Sequence, residues 1–157
     1  MASPLPRKGW SGRWRERPQP PPQSLDVNAG RGPVRFLLNP VALQRLEGGI
    51  LVGLSLLMYW KQSGSWLLYV VLILSPDLFV LGYLRGPRAG AAIYNLGHTW
   101  LLPGMLAAGG LIGGTPLLAS VALIWFGHIG VDRLLGYGLK LPSAFQDTHL
   151  GRIGRKS

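Results

Sequence analysis

The chain has no cysteine, which excludes disulfides and thiolate metal sites, so any metal must be held by histidine, carboxylate or carbonyl groups. It is also poor in acids. Asp and Glu number 6 against 16 Lys and Arg, a formal net charge of +10 over 157 residues. Beyond residue 38 the acids are Glu47, Asp77, Asp132 and Asp147, and the histidines are His98, His128 and His149. Charged residues make up only 14% of the chain against 48% hydrophobic, too little charge for a soluble domain of this size. The few ionisable groups inside apolar stretches are therefore informative. Each costs roughly 2.5–3.5 kcal/mol at a bilayer centre unless it has a partner, a cavity or a task.

A strongly basic chain invites a nucleic-acid reading, but the placement of charge argues otherwise. Basic residues collect in 1–38, at Arg85 and Arg88, and in 133–157, at alternate ends of the apolar runs. That is the positive-inside pattern. It predicts the lipid bilayer as surroundings, anionic lipid headgroups as partners of the basic ends, and no nucleic-acid partner.

Residues 1–38 contain Pro20, Pro21 and Pro22 and no apolar period, so a disordered Pro/Arg-rich arm is expected. No short apolar core with a small-residue cleavage site follows the basic residues, and a signal peptide is not expected there. Asn39-Pro40 reads as an N-cap followed by a first-turn proline, opening a helix over about 40–60. Its Gly49 and Gly53 offer a neighbour close approach. After a polar turn, 66–84 is a second apolar helix. There Pro76 removes a hydrogen bond to Leu72 and sets a kink beside Asp77. A third helix over 89–112 carries Tyr94, Asn95 and His98. Thr115-Pro116 caps a fourth, 116–137, in which His128 and Asp132 share one face at i, i+4. Residues 141–157 form a basic tail. The expected fold is all-α, a four-helix transmembrane bundle with both termini cytoplasmic, open to assembly as a homo-oligomer.

Counting 1.5 Å per residue from each cytoplasmic end, Asp77, His98 and His128 lie about 10, 15 and 12 Å in, and Asp132 about 6 Å. Separate helices thus bring ionisable groups to similar depth. One reading makes them interhelical hydrogen-bond glue, worth about 0.6–2 kcal/mol each, in a non-catalytic protein such as a small transporter subunit or scaffold. The other makes Asp77, His98, His128 and Asp132 the ligands of one divalent metal (zinc, manganese or iron). The chemistry would then be hydrolysis of a lipid or other membrane-accessible substrate, with Glu47 as base. Tyr94, Asn95 and Arg133 either orient substrate or serve as hydrogen-bonding support and headgroup anchor. Asp147 and His149 either fold back over the cytoplasmic mouth or belong to a solvated tail.

Several stretches resemble a known family: L-Q-R-L-E-G from Leu43, S-P-D-L-F-V-L-G-Y from Ser75, G-P-R-A-G-A-A-I-Y-N-L-G-H from Gly86, G-H-I-G-V-D-R-L-L-G-Y-G-L-K from Gly127 and D-T-H-L-G-R-I-G from Asp147. The chain is similar, over about residues 40–156, to the small, mainly bacterial membrane proteins grouped as domain of unknown function 4260. The resemblance implies a multi-pass protein of a cell membrane, with the bacterial inner membrane as the expected one, and brings no activity with it. A weaker likeness is to predicted membrane-bound metal-dependent hydrolases. It runs through Pro76-Asp77, the stretch from Arg88 to His98, and His128 to Asp132, but the Arg-to-His spacing is longer and no histidine stands near Glu47.

Overall fold

A computed structural model describes residues 39–154, so the expectation for the 1–38 arm falls outside the described residues. The elements are α1 (Pro40–Lys61), α2 (Trp66–Leu72), a 3-10 segment (Ser75–Arg85), α3 (Pro87–Gly97), α4 (Leu101–Ile112), α5 (Pro116–Leu135), and a two-residue antiparallel pair, β1 (Asp147–Thr148) with β2 (Gly151–Arg152). The all-helical architecture read from the sequence is borne out. Among the described residues three stretches are long and apolar enough to cross a membrane: Pro40–Lys61, Trp66–Arg85 and Pro116–Leu135. Large apolar side chains stand outside the bundle, Leu67 at 74% and Leu111 at 79% exposure. An apolar surface of this kind is accommodated by lipid rather than water.

The first helix starts as its sequence predicts, with Asn39 Oδ1 accepting from the backbone N–H groups of Val41 and Ala42. At the start of α5 the expectation fails in detail. The Thr115 hydroxyl donates to the Gly113 carbonyl instead of capping the helix.

The two middle helices depart from the expected continuous runs. The second changes type at Pro76, which has no N–H to continue the α ladder. Asp77 N–H turns to the Leu74 carbonyl instead, three residues back, and the chain continues as a 3-10 helix of 11 residues. In that geometry side chains three apart eclipse one another. Leu78, Leu81 and Leu84 therefore form one exposed apolar edge, while Phe79 and Gly82 face α3. The third helix, expected as one run over 89–112, is broken at His98–Trp100. Pro103 gives the reason. In a continuous helix its ring would clash with the Thr99 carbonyl, whereas in the first turn of a new helix no N–H is required of it.

Small residues set the close packing. An added Cβ on Gly48 would lie 2.6 Å from the Leu134 nitrogen and 2.7 Å from the Gly130 carbonyl oxygen, so α1 and α5 cross backbone to backbone. The expected contact residues are not the ones used. Gly49 makes only an ordinary contact and Gly53 faces open space. Between the 3-10 segment and α3, glycines and large side chains alternate: Ile93 fills the space at Gly82, Tyr83 that at Gly90, and Phe79 that at Gly97.

Candidate metal centre

The break between α3 and α4 positions the site. A helix end inside an apolar bundle leaves its last carbonyls without partners, and each must be satisfied locally. Here all four are. The Tyr94 carbonyl accepts from both the backbone N–H and Nδ1 of His98 (3.0 and 2.9 Å), and the Asn95 carbonyl shares the same backbone N–H (3.1 Å). Leu96 accepts from the Thr99 hydroxyl, and Gly97 from Trp125 Nε1 at 2.7 Å. His98 is thus both the terminus of α3 and the first residue of the site.

A carbonyl can only accept, so His98 Nδ1 carries the proton of its short bond to Tyr94, and in the neutral ring Nε2 is a bare lone pair. That nitrogen points into a cluster. It lies 3.2 Å from His128 Nε2, 3.6 Å from Asp77 Oδ1 and 3.6 Å from Asp132 Oδ2. His128 Nε2 lies 3.6 Å from the same Asp77 oxygen and 3.8 Å from the same Asp132 oxygen. The ligand atoms of Asp77, His98 and His128 fall within 4.8 Å of one another, and Asp132 faces both imidazoles. Both histidines are buried, at 3% and 4% exposure. The Asp77 side chain is half exposed, and through it the cluster reaches the outside.

The surrounding groups orient these four. The Tyr94 ring stacks on His98 at a centroid distance of 3.7 Å, and its hydroxyl donates to Asp132 Oδ2 at 3.4 Å. Helix α5 presents His128 and Asp132 one turn apart, then stops at Gly136 in the left-handed conformation, where the Tyr137 N–H bonds back to the Asp132 carbonyl at 2.7 Å. Arg45 closes the same end by donating to the Leu135 carbonyl.

The remaining sequence candidates are used differently. Asn95 spends both ends of its amide on one residue: Nδ2 donates to the Lys140 carbonyl (2.9 Å) and Oδ1 accepts from the Lys140 N–H (2.7 Å). It fixes the chain after α5. Glu47 is exposed and lines a groove with Gln44, Trp100 and Arg133, outside the His/Asp group. His149 folds back and accepts from the Leu139 N–H at 2.8 Å, with Arg133 Nη1 3.4 Å from its other nitrogen. Asp147 accepts from the Ser143 hydroxyl within its own turn. Of the two alternatives for D-T-H-L-G, the folded one is found. The β pair and an antiparallel bridge from Lys140 to Thr148 make residues 140–152 a strap rather than a free tail.

Sequence reasoning missed Lys140. It is 5% exposed, with Nζ 3.9 Å from the centroid of the Phe145 ring and 5.1 Å from that of Tyr94. Burial pushes its ammonium below the usual lysine range, against the opposing pull of the Asp132 carboxylate.

Fold and site together define a class: a helical integral membrane protein with a His/Asp cluster built at an interrupted helix. The chain belongs to the family described as domain of unknown function (DUF4260), whose model matches residues 41–153. No curated protein and no solved structure matches it, and nothing in these comparisons supports the second likeness, to metal-dependent hydrolases.

Proposed function

We propose that Asp77, His98 and His128 hold one divalent metal ion, zinc, manganese or iron, and that the protein is a metal-assisted hydrolase acting on a membrane-accessible substrate. One observation carries this reading: four side-chain atoms of metal-ligating type converge while the proton of His98 is committed elsewhere. Hydrogen-bond glue needs a donor for each acceptor, and with neutral imidazoles the donors facing these atoms are the Tyr94 hydroxyl and, in one tautomer, His128 Nε2, too few for two carboxylates and the His98 lone pair. A cation resolves the excess. In a tetrahedral site with bonds of about 2.0–2.2 Å, donor atoms stand about 3.3–3.6 Å apart, and the separations among Asp77, His98 and His128 are 3.2–3.6 Å.

Such an ion supplies Lewis acidity and lowers the pKa of a water toward neutrality. The chain supplies the rest. His98 is held in its ligating tautomer by the Tyr94 carbonyl, the arrangement in which the other ring nitrogen binds metal best. Asp132, which faces both imidazoles and is steadied by the Tyr94 hydroxyl, would serve as proton acceptor for that water in the place first expected of Glu47. Half-exposed Asp77 leaves an entrance on its side.

Metal analysis of detergent-purified protein tests the reading. About one equivalent is expected in wild type and in Glu47→Gln, and none in His98→Ala or His128→Ala. Asp132→Asn is expected to keep the metal. Folded wild type loaded with each candidate ion and still retaining none would return the cluster to the glue reading and the protein to the transporter-subunit or scaffold class.

A further inference from the structure

Lys140 is the buried cation that the hydrolase reading leaves unused. A lysine this deeply enclosed is ordinarily paired with a carboxylate. Among the described residues no carboxylate oxygen comes within 4.0 Å of its Nζ. Its place is nonetheless fixed. The main chain is gripped on one side by the Asn95 amide and on the other by the bridge to Thr148, and the ammonium sits against the faces of Phe145 and Tyr94. Aromatic faces hold a cation without neutralising it. Tyr94 is also the ring that stacks on His98 and bonds Asp132, so one side chain separates the ammonium from the cluster.

Charge arithmetic gives the site its sign. Two aspartates and a divalent ion balance, the imidazoles are neutral ligands, and Lys140 leaves one positive charge over. A metal with a fixed ammonium one aromatic ring away suits a group carrying several negative oxygens, and clamps of this composition act on phosphoryl groups. We infer that Lys140 is the anion-binding residue of this site and that the substrate is a phosphate ester, one oxygen taken by the metal and another by the ammonium. This rests on the metal reading. Lysine acts here as a point charge rather than a fork, which tolerates a bound group of variable orientation.

Inorganic phosphate binding to the full chain in detergent micelles, with metal content measured on the same samples, tests the inference. Lys140→Met, which keeps length and loses charge, is expected to retain metal while phosphate binds at least tenfold more weakly. Lys140→Arg is expected to recover most of the affinity. Equal phosphate affinity in wild type and a metal-replete Lys140→Met overturns the inference, as does a metal-loaded wild type that binds no phosphate. If wild type holds no metal, the metal reading fails on its own, and the lysine comparison is read on the metal-free chain. Phosphate binding that still depends on Lys140 upholds the anion site, and its absence ends it. Should Lys140→Met fail to fold, Phe145→Leu, which removes one cation-holding face, carries the same comparison. Competition by a short-chain phosphatidate assigns the source: stronger displacement than by glycerol phosphate points to a lipid headgroup, equal displacement to a soluble ester.

Discussion

At the level of single residues, the four members of the cluster were readable because an ionisable group in an apolar stretch carries a cost that needs a reason. Asp77, His98, His128 and Asp132 meet as their depths suggested. Lys140 was not readable, because a lysine just beyond an apolar helix looks the same whether it reaches for headgroups or turns inward. Only the long-range grip of Asn95 distinguishes the two. Glu47 was the reverse case, an acid at suitable depth whose helix face points it toward the groove with Arg133 instead. The enclosed state of Lys140 has a signature in solution. Its folded pKa is depressed from 10.5, so between that lower value and 10.5 the folded chain binds fewer protons at this position than the unfolded chain. Stability relative to Lys140→Met therefore rises with pH across that window and is flat below it. Thermal unfolding of both proteins in detergent, from about pH 7 to about pH 10.5, should show the wild type gaining on the variant. A gap that stays constant would mean that the ammonium is not desolvated.

Individual elements were legible at their ends more than in their middles. The Asn39-Pro40 start appeared as read, whereas the second and third helices changed character at prolines. Pro76 was recognised as a disturbance but its result, a long 3-10 segment, was not, since local sequence shows the lost donor and not what the chain does next. Pro103 lies inside an apolar run, where nothing local marks it as the start of a new helix. The break it enforces falls at His98, whose ring turns back onto the Tyr94 carbonyl. Glycine spacing misled for a related reason: in a glycine-rich helix, periodicity does not reveal which face meets a neighbour. The structure separates them sharply. Gly48→Ala should cost about 1–3 kcal/mol by forcing α1 away from the Gly130 and Leu134 backbone. Gly53→Ala, facing open space, should be neutral or stabilise by up to about 1 kcal/mol. Equal melting temperatures for the two variants in detergent would argue against the close α1–α5 crossing.

For the molecule as a whole, α5 is the hub, packed along α1 on one side and against α4 on the other, while α3 packs on the 3-10 segment. The site lies where these two groups of elements meet, and residues 140–152 tie them together from beyond α5. The sequence offers folding back of Asp147 and His149 as one of two readings, but the tie of Lys140 to Asn95 leaves no local mark, since a short basic stretch with few apolar residues reads equally as solvated chain. Cutting the tie should free the strap and spare the bundle. Asn95→Ala is expected to raise hydrogen exchange at the Lys140 and His149 amides by tenfold or more, leaving the α1 and α5 amides as protected as in wild type. Unchanged exchange throughout would show that the strap holds by other means. The same grip sets an order of construction. Lys140 is fastened to a residue 45 positions earlier, so the strap can close only after α3 and α5 have come together and the cluster between them has formed. On the proposed reading a cation can be loaded into a half-built vessel and sealed afterward, and its later escape is limited by how often the clasp comes undone.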